Sequence, residues 1–320
     1  MRVYARRPPH GPPSKVLKLL LRKLIQGALM IVVVSAATFA LLSSAGGDAL
    51  AGMYENPQVS QVTIERMRAV YGLDRPVAER YAGWLTKAAA GDLGDSFYYR
   101  TPVAGLVLGR LGNTLLLSAL ALLMALSVAA ILSYLQARYG GRVLDAAIEA
   151  IVLVAASVPG IVLALVFLLI IAATPAAGRD WLSTLLAAAA LGMPLTAVFL
   201  AQLSRGLQEA MREDFVRLAR AKGLGETAII LRHAWRAAVA PVITLFGLSI
   251  GALVGGSVVV ETILGWPGIG ALTVTAVQSR DVPLVMGIVL IAAVAVWLGN
   301  TIAELLQVVN DGRLRNAEEI

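Results

Sequence analysis

Few residues of this chain could perform acid–base, nucleophilic or metal chemistry. Its 320 residues include no cysteine and only two histidines, His10 and His233. The lack of cysteine excludes thiolate metal sites and a cysteine nucleophile. The sequence also lacks Gly-x-x-x-x-Gly-Lys-Ser/Thr, the loop that cradles nucleotide phosphates. We therefore predict that the chain is not an enzyme and has no catalytic residue, metal site or cofactor.

The densest run of charged residues is the stretch Glu209–Pro241. Within it, Met211, Phe215 and Leu218 recur at i, i+4 and i+7, which predicts a helix with one apolar face. The basic residues on the opposite side of that helix would be Arg212, Arg217 and Arg220. The stretch therefore offers an amphipathic, basic surface for binding rather than for catalysis.

A glycine elbow divides this stretch into two predicted helices. Glu213 and Arg217 are spaced for a favourable i,i+4 ion pair in the first helix. Gly223 stands where that helix should end, because glycine adopts the left-handed cap conformation without a steric penalty. Glu226 would open a second short helix that runs to Pro241. The unit is predicted to be helix, elbow and helix.

Such a unit could bind DNA as a helix-turn-helix or lie on lipid headgroups as a basic amphipathic helix. The surrounding sequence excludes DNA, because long uncharged segments flank the unit on both sides. The chain is 58% hydrophobic and only 15% charged, whereas about 25% charged residues is usual for a soluble domain. We therefore predict a loop between membrane spans and no nucleic-acid partner.

Six charge-free segments each reach the roughly 20 residues that a helix needs to cross a bilayer. They are Leu24–Gly47, Leu111–Ala137, Ala150–Gly178, Trp181–Ser204, Ala237–Val260 and Val282–Ala303. These segments predict an all-α, polytopic membrane protein with six transmembrane helices.

The distribution of basic residues predicts the orientation of these helices. Seven basic residues precede the first span: Arg2, Arg6, Arg7, Lys15, Lys18, Arg22 and Lys23. By the positive-inside rule, that side is cytoplasmic, and six spans place both termini there. The stretch 205–236 is then cytoplasmic, and the long connection Ser44–Arg110 lies outside.

The run from Arg217 to Gly223, with Pro241 downstream, resembles the cytoplasmic "EAA" loop of ABC-importer permeases. The spacing is similar to that of the dipeptide/oligopeptide/nickel branch, although Glu-Ala-Ala itself is absent. The resemblance implies that the loop is a coupling helix that docks into a cleft of a separate ATPase subunit. The implied coupling residues are Met211, Phe215, Arg217, Leu218, Ala219, Arg220, Ala221, Lys222 and Gly223.

The outer connection is too long for a simple loop and contains two predicted helices. The first carries Ile64, Met67 and Tyr71, and the second begins after Pro76 and closes at Gly91. Its motifs resemble the same branch, which implies an extracytoplasmic cap near the dock of a binding protein. A surface cap with only structural duties is the alternative.

Three further motifs are candidates for the substrate pathway. The sequence Ser157-Val-Pro-Gly160 breaks the third span, because Pro159 deletes a backbone hydrogen bond and clashes with the preceding turn. This break either lines the pathway, as the resemblance implies, or is a packing kink. The run Glu261-Thr-Ile-Leu-Gly-Trp266-Pro-Gly-Ile-Gly270 resembles the outer mouth of the branch. Glu261 and Trp266 would face substrate there, or Glu261 would cap a helix end or pair with Arg280.

The resemblance identifies the chain as the first of two permease subunits of a type I ABC importer in a bacterial inner membrane. It implies four kinds of partner: a second permease subunit, two ABC ATPase subunits, an extracytoplasmic solute-binding protein and the lipid bilayer. The implied substrates are di- or oligopeptides, nickel or a metal chelate. The alternatives are an ion-coupled secondary transporter and a membrane-anchored interaction protein without transport.

On this interpretation the chain has five parts. They are a cytoplasmic tail (1–23), a first transmembrane helix (24–47), an extracytoplasmic cap (48–110), a permease transmembrane domain (111–309) with a coupling loop (205–236), and a cytoplasmic tail (310–320).

Overall fold

The computed structural model describes residues 13–44, 60–62, 65, 68, 74–175 and 179–310. Three sequence-based predictions fall outside these residues: the tail that contains His10, the first cap helix with Ile64, Met67 and Tyr71, and residues 311–320 of the C-terminal tail.

The described part of the chain is helical, apart from one isolated bridge between Asp95 and Pro102. Its helices are α1 (Pro13–Ser44), α2 (Val77–Ala89), α3 (Val103–Tyr139), α4 (Arg142–Ser157), α5 (Gly160–Ala173), α6 (Arg179–Ala210), α7 (Asp214–Ala221), α8 (Glu226–Ile229), α9 (Trp235–Leu264), α10 (Ile269–Gln278) and α11 (Val282–Asn310). A π-helical turn, Ile230–Ala234, joins α8 to α9. The predicted all-α class is confirmed.

Five helical segments are long and apolar enough to cross a membrane. They are Leu21–Ser44, Val103–Tyr139, Asp180–Ala210, Glu226–Leu264 and Val282–Leu306. The bent pair α4 and α5 makes a sixth span if it is counted as one. The polytopic membrane fold is therefore confirmed, with five candidate spans among the described residues, or six if the bent pair is counted.

The break in the third span is larger than a kink. The sequence predicted one interrupted segment, Ala150–Gly178, whereas the structure has two helices that meet at 94°. The helix α4 ends at Ser157, and α5 begins at Gly160 after Pro159. Proline lacks a backbone N–H and its ring crowds the preceding turn, so the break occurs at this residue.

Two of the helices run past the limits set by the apolar residues. The helix α3 begins at Val103 rather than Leu111. The second helix of the charged stretch was predicted to end at Pro241, and that prediction is wrong, because α9 carries Pro241 in its interior and ends at Leu264. A proline inside a membrane helix is tolerated when neighbouring helices stabilise the turn whose carbonyl it frees.

The core is built around α3 and α6, the most extensive helix pair. Their backbones meet at Gly192, where an added Cβ would lie 2.6 Å from the carbonyl oxygen of Ala121. A second close crossing joins α6 to α9, since a Cβ on Gly206 would lie 3.1 Å from the Cα of Ala238. Small residues at such crossings let membrane helices approach closely.

The small residues of α9 make a crossing within the chain. A Cβ on Gly247 would lie 2.4 Å from the Cβ of Ala303 in α11. Gly299 of α11 packs reciprocally against Ile250 of α9. Nothing lies within 4 Å of a Cβ on Gly255. Gly247 therefore serves a helix crossing within the chain.

The first helix is fastened to the rest at two levels. At one level, Trp297 Nε1 of α11 donates a hydrogen bond of 3.0 Å to the carbonyl oxygen of Lys23. Further along α1, the hydroxyls of Ser35 and Tyr81 lie 2.9 Å apart, and Tyr81 also donates to the carbonyl oxygen of Val32. The helix α2, which the sequence predicted between Pro76 and Gly91, therefore lies against α1.

Candidate functional site

The short helix α7 is held to the protein by one face. Val216 and Ala219 are buried on that face, where they form a small apolar cluster with Ile229. Met211 precedes α7 in a turn and packs against this cluster and the neighbouring one. The helix is therefore fixed in position although it has only eight residues.

The flank of α7 next to this buried face is apolar and open. The side chains of Phe215 and Leu218 are 41% and 57% exposed. The predicted apolar face of Met211, Phe215 and Leu218 is therefore not the face that the chain buries, because Val216 and Ala219 take that role. Of the implied coupling residues, Phe215 and Leu218 present exposed apolar surface, whereas Ala219 points inward.

The elbow after α7 has the predicted conformation. Gly223 has a φ of +79°, in the left-handed region that favours glycine. Its N–H donates to the carbonyl oxygen of Arg220 at 2.9 Å, and the N–H of Leu224 donates to that of Ala219 at 3.2 Å. These bonds satisfy carbonyl groups at the end of the helix, so the elbow is well defined.

Ion pairs tie the elbow together, and one of them differs from the prediction. Arg220 donates to both carboxylate oxygens of Glu226, at 2.6 and 3.1 Å. The hydrogen bonds to Glu226 raise the pKa of Arg220. Arg217 bonds to Asp214 at 3.3 Å rather than to Glu213. Glu213 stands before the first turn of α7, outside the i,i+4 geometry that the prediction assumed.

The elbow rests on the ends of the long helices. Leu207 and Ala210 of α6 and Ile230 of the π-helical turn are buried in one cluster, against which Tyr134 and Ala137 of α3 pack. The hydroxyl of Tyr134 also lies 3.4 Å from that of Thr227. A displacement of the elbow would therefore reach both α3 and α6. We call residues 207–234 the coupling unit.

The break between α4 and α5 leaves polar backbone near an open surface. Ser157 and Pro159 are exposed, and the N–H of Val158 completes the last turn of α4 by donating to Val154 at 3.1 Å. Residues that face a pathway or a second subunit are expected to be exposed when the chain is considered without its partners. The predicted contact of Ser157 and Pro159 with substrate stays a prediction.

Glu261, the third pathway candidate, is fully buried. One carboxylate oxygen accepts a hydrogen bond of 2.8 Å from the hydroxyl of Thr114, and the other accepts one of 3.1 Å from the N–H of Ala271. Thr114 in turn accepts a bond of 2.8 Å from the N–H of Ile269. The carboxylate thus caps the N-terminus of α10, as one sequence-based alternative proposed. Its contact with substrate stays a prediction.

The glycines of the Trp266–Gly270 motif make this packing possible. Gly265 ends α9 with a φ of +68°. A Cβ on Gly268 would lie 2.4 Å from the carboxylate of Glu261, and one on Gly270 would lie 2.6 Å from the Cα of Val258. The motif is therefore the sequence signature of a helix that packs directly on a buried carboxylate.

Trp266, the fourth pathway candidate, joins α3 and does not stand free. Its Nε1 donates a hydrogen bond of 3.1 Å to the carbonyl oxygen of Asn113. Asn113 returns one of 2.8 Å from its side-chain nitrogen to the carbonyl oxygen of Pro267. These reciprocal bonds fix the segment between α9 and α10 to α3, and a role of Trp266 toward substrate stays a prediction.

Sequence reasoning missed a second buried carboxylate, that of Asp281. It accepts hydrogen bonds from the hydroxyl of Ser96 at 2.5 Å, the N–H of Tyr98 at 3.0 Å and the N–H of Leu284 at 3.1 Å. A signal was present, because an aspartate just before a helix with proline in its first turn is typical of an N-cap. Asp281 therefore joins the turn before α3 to the N-terminus of α11.

Comparison with known proteins supplies the family. Residues 121–316 match the family described as binding-protein-dependent transport system inner membrane component. Residues 16–118 match the N-terminal region of binding-protein-dependent transport system membrane components. The two matches together extend over nearly the whole chain.

Individual relatives match over similar lengths. A putative peptide permease protein of Brucella suis is 32% identical over 94% of this chain and 99% of its own length. The oligopeptide transport system permease protein AppB of Bacillus subtilis is 31% identical over 92% and 98%. The glutathione transport system permease protein GsiC of Escherichia coli is 31% identical over 91% and 96%.

Proposed function

Because the chain belongs to the family of inner membrane components of binding-protein-dependent transport systems, we propose that it is the permease subunit of an ATP-driven importer of di- or oligopeptides. Relatives that match over almost their full length are named as peptide, oligopeptide and glutathione permeases, which supports this substrate class. Nickel or a metal chelate is the second substrate class that the sequence resemblance implies.

The exposed apolar face of α7 is the observation that carries the proposal. Phe215 and Leu218 stand free on a helix whose neighbouring face is locked by Val216 and Ala219. Because roughly half of each side chain is already buried, burying the rest against another subunit would contribute about 1 kcal/mol each. We assign this face to the cleft of an ABC ATPase, with Arg217, Arg220, Ala221 and Lys222 at its rim.

The proposed assembly contains this chain, a second permease subunit, two ATPase subunits and an extracytoplasmic solute-binding protein. The two permeases would each form half of the pathway, with the exposed break at Ser157 and Pro159 facing it. ATP hydrolysis by the partner subunits would move the coupling unit, and the long helices that pack on it would then change access to the pathway. We propose that both termini and the coupling unit are cytoplasmic, because basic residues cluster there.

Reconstitution of the importer in vesicles tests this function. The permease pair, the ATPases and the binding protein are incorporated together, and uptake of labelled di- and oligopeptides is measured with and without ATP. We expect ATP-dependent uptake that requires the binding protein. Native mass spectrometry of the binding protein decides the substrate class, since a ladder of peptides supports the proposal and a retained metal chelate contradicts it.

A further inference from the structure

The segment between α9 and α11 is held at both of its ends by a buried carboxylate. We call residues 265–281 the outer segment; it contains α10. Glu261 stands just before it and Asp281 closes it, and both side chains are fully buried. Burying a carboxylate costs free energy unless hydrogen bonds compensate it. The hydrogen-bond donors to each carboxylate therefore identify the part of the protein that holds the outer segment in place.

Both carboxylates bind the outer end of α3 or the residues directly before it. Glu261 accepts from Thr114 of α3, and the same hydroxyl accepts from Ile269 of α10. Asp281 accepts from Ser96 and Tyr98, which lie in the turn that leads into α3 at Val103. That turn is itself closed, because the N–H of Val103 donates to the carbonyl oxygen of Gly94 at 3.0 Å.

Apolar packing joins the same partners between the two carboxylates. Val103 and Val107 of α3 are buried in one cluster with Leu272 and Ala276 of α10. The cluster continues into α11, where a Cβ on Gly287 would lie 2.4 Å from Val103. Between the two carboxylates, the outer segment is therefore packed against α3.

The same α3 reaches the coupling unit at its other end. It has 37 residues without interruption, which at 1.5 Å per residue is about 55 Å. Tyr134 and Ala137 pack against the coupling unit, about 30 Å along the helix from Thr114. A single helix thus contacts both the outer segment and the coupling unit.

We propose that Glu261 and Asp281 are positioning residues that clamp the outer segment to α3, so that the segment moves with α3 as one body during transport and is not a separately hinged flap. This inference rests on the proposed transport function and adds the element that links the coupling unit to the outer mouth. In this role Glu261 acts through Thr114 and α10.

Cross-linking tests whether the segment moves with α3. Asn113→Cys and Pro267→Cys, placed where the two residues already share a hydrogen bond, are joined by a short bifunctional thiol reagent in the reconstituted importer. The chain has no other cysteine, so within this chain the reaction is confined to this pair. We expect the joined protein to transport at no less than half the rate of the unjoined double variant. Loss of transport on joining overturns the proposal.

Substitution of the clamp gives a second, independent test. Glu261→Ala and Thr114→Val should lower the peptide transported per ATP hydrolysed by about fivefold or more, as the loss of buried hydrogen bonds implies. Thr114→Ser keeps the hydroxyl and should restore the ratio. Thr262→Val is the matched control, because Thr262 is exposed and bonds only within its own helix.

The ratio of transport to hydrolysis separates the possible failures. A purely structural defect lowers both rates together and leaves the ratio unchanged, so an unchanged ratio in Glu261→Ala and Thr114→Val overturns the proposal. If the unmodified complex fails to transport peptide, the proposed function itself is wrong. If the unmodified complex transports peptide and the clamp variants have the same ratio as Thr262→Val, the proposed function stands and the proposed clamp is wrong.

Discussion

Lys23 of α1 and Glu304 of α11 form an ion pair between the first and the last of the long helices. Both residues lie within segments apolar enough to cross a membrane. The Lys23 side chain is only 16% exposed, and Gly27, one turn further on, packs against the indole of Trp297. Charged residues in such segments are costly unless paired, so this pair helps to fix the position of α1.

Reversing one charge of this pair should release α1, and reversing both should restore it. Lys23→Glu places two carboxylates together and should cost about 1–2 kcal/mol, enough to lower the abundance of folded protein several-fold. The double variant Lys23→Glu with Glu304→Lys should recover most of that loss. Quantitative membrane blotting measures both, and a double variant no better than the single one would contradict the pairing.

The elbow after α7 should be sensitive to a side chain at one glycine and not at its neighbour. Gly223 has a φ of +79°, so Gly223→Val should cost roughly 1–2 kcal/mol of backbone strain. Gly225 has a φ of −68°, and nothing lies within 4 Å of a Cβ there, so Gly225→Val is the matched control. We expect Gly223→Val to lose most ATPase in a pull-down, and the control to keep it.

Uptake by the same two variants decides whether the elbow matters for transport. The strain lies outside the long apolar spans, so Gly223→Val should still insert and be recovered in the membrane. Normal uptake with normal ATPase recovery in Gly223→Val would show that this loop is not the coupling element.

The exposed apolar residues of α7 should matter for binding more than for folding. Phe215→Ala and Leu218→Ala remove surface that is already open in this chain, so thermal stability of the isolated subunit should change by less than about 0.5 kcal/mol. Affinity for the ATPase should fall about fivefold in each case, because the lost side chains would be buried in the complex. Titration of labelled ATPase measures this.

Two controls frame that experiment. Arg212 is exposed and lies before α7, so Arg212→Ala should leave the affinity for the ATPase nearly unchanged. Val216→Ala removes a fully buried side chain and should lower stability as well as affinity. A result in which Phe215→Ala binds the ATPase as tightly as the unmodified chain would remove α7 from the interface.

Membrane orientation can be tested with single cysteines, since the chain has none. Thr86 in α2 and Glu209 near the end of α6 are both exposed. We expect an impermeant thiol reagent to label Thr86→Cys in intact cells with a permeable outer membrane, and Glu209→Cys only after lysis. The reverse pattern would overturn the orientation deduced from the basic residues.

The sequence was most informative where a property is local. Charge-free runs gave the spans, because crossing a bilayer requires an uninterrupted apolar helix. The elbow at Gly223 was also predictable from a local property, because few residues other than glycine tolerate the left-handed conformation. The break at Pro159 was foreseen, but not its 94° angle, which depends on the helices packed on either side.

The sequence was least informative where residues meet across the fold. Thr114 and Glu261 are 147 positions apart, and no periodicity indicates such a contact. The face of α7 that the chain buries was not predicted, because the apolar spacing was counted from Met211, which precedes the helix. Burial of Val216 and Ala219 is decided by Ile229 beyond the elbow, a tertiary partner that a helical wheel omits.

The π-helical turn Ile230–Ala234 has a consequence for how this protein tolerates length changes. Such a turn holds one residue more than an α-helical turn, and the N–H of Trp235 accordingly donates to the carbonyl oxygen of Ile230. Deleting one residue here would let the chain continue as a regular α-helix. The short helix α8 would then turn by about 100° around the axis of α9, away from the buried contacts that Ile229 makes with Val216 and Ala219. The azimuth at which α7 presents Phe215 is thus set by a single surplus residue.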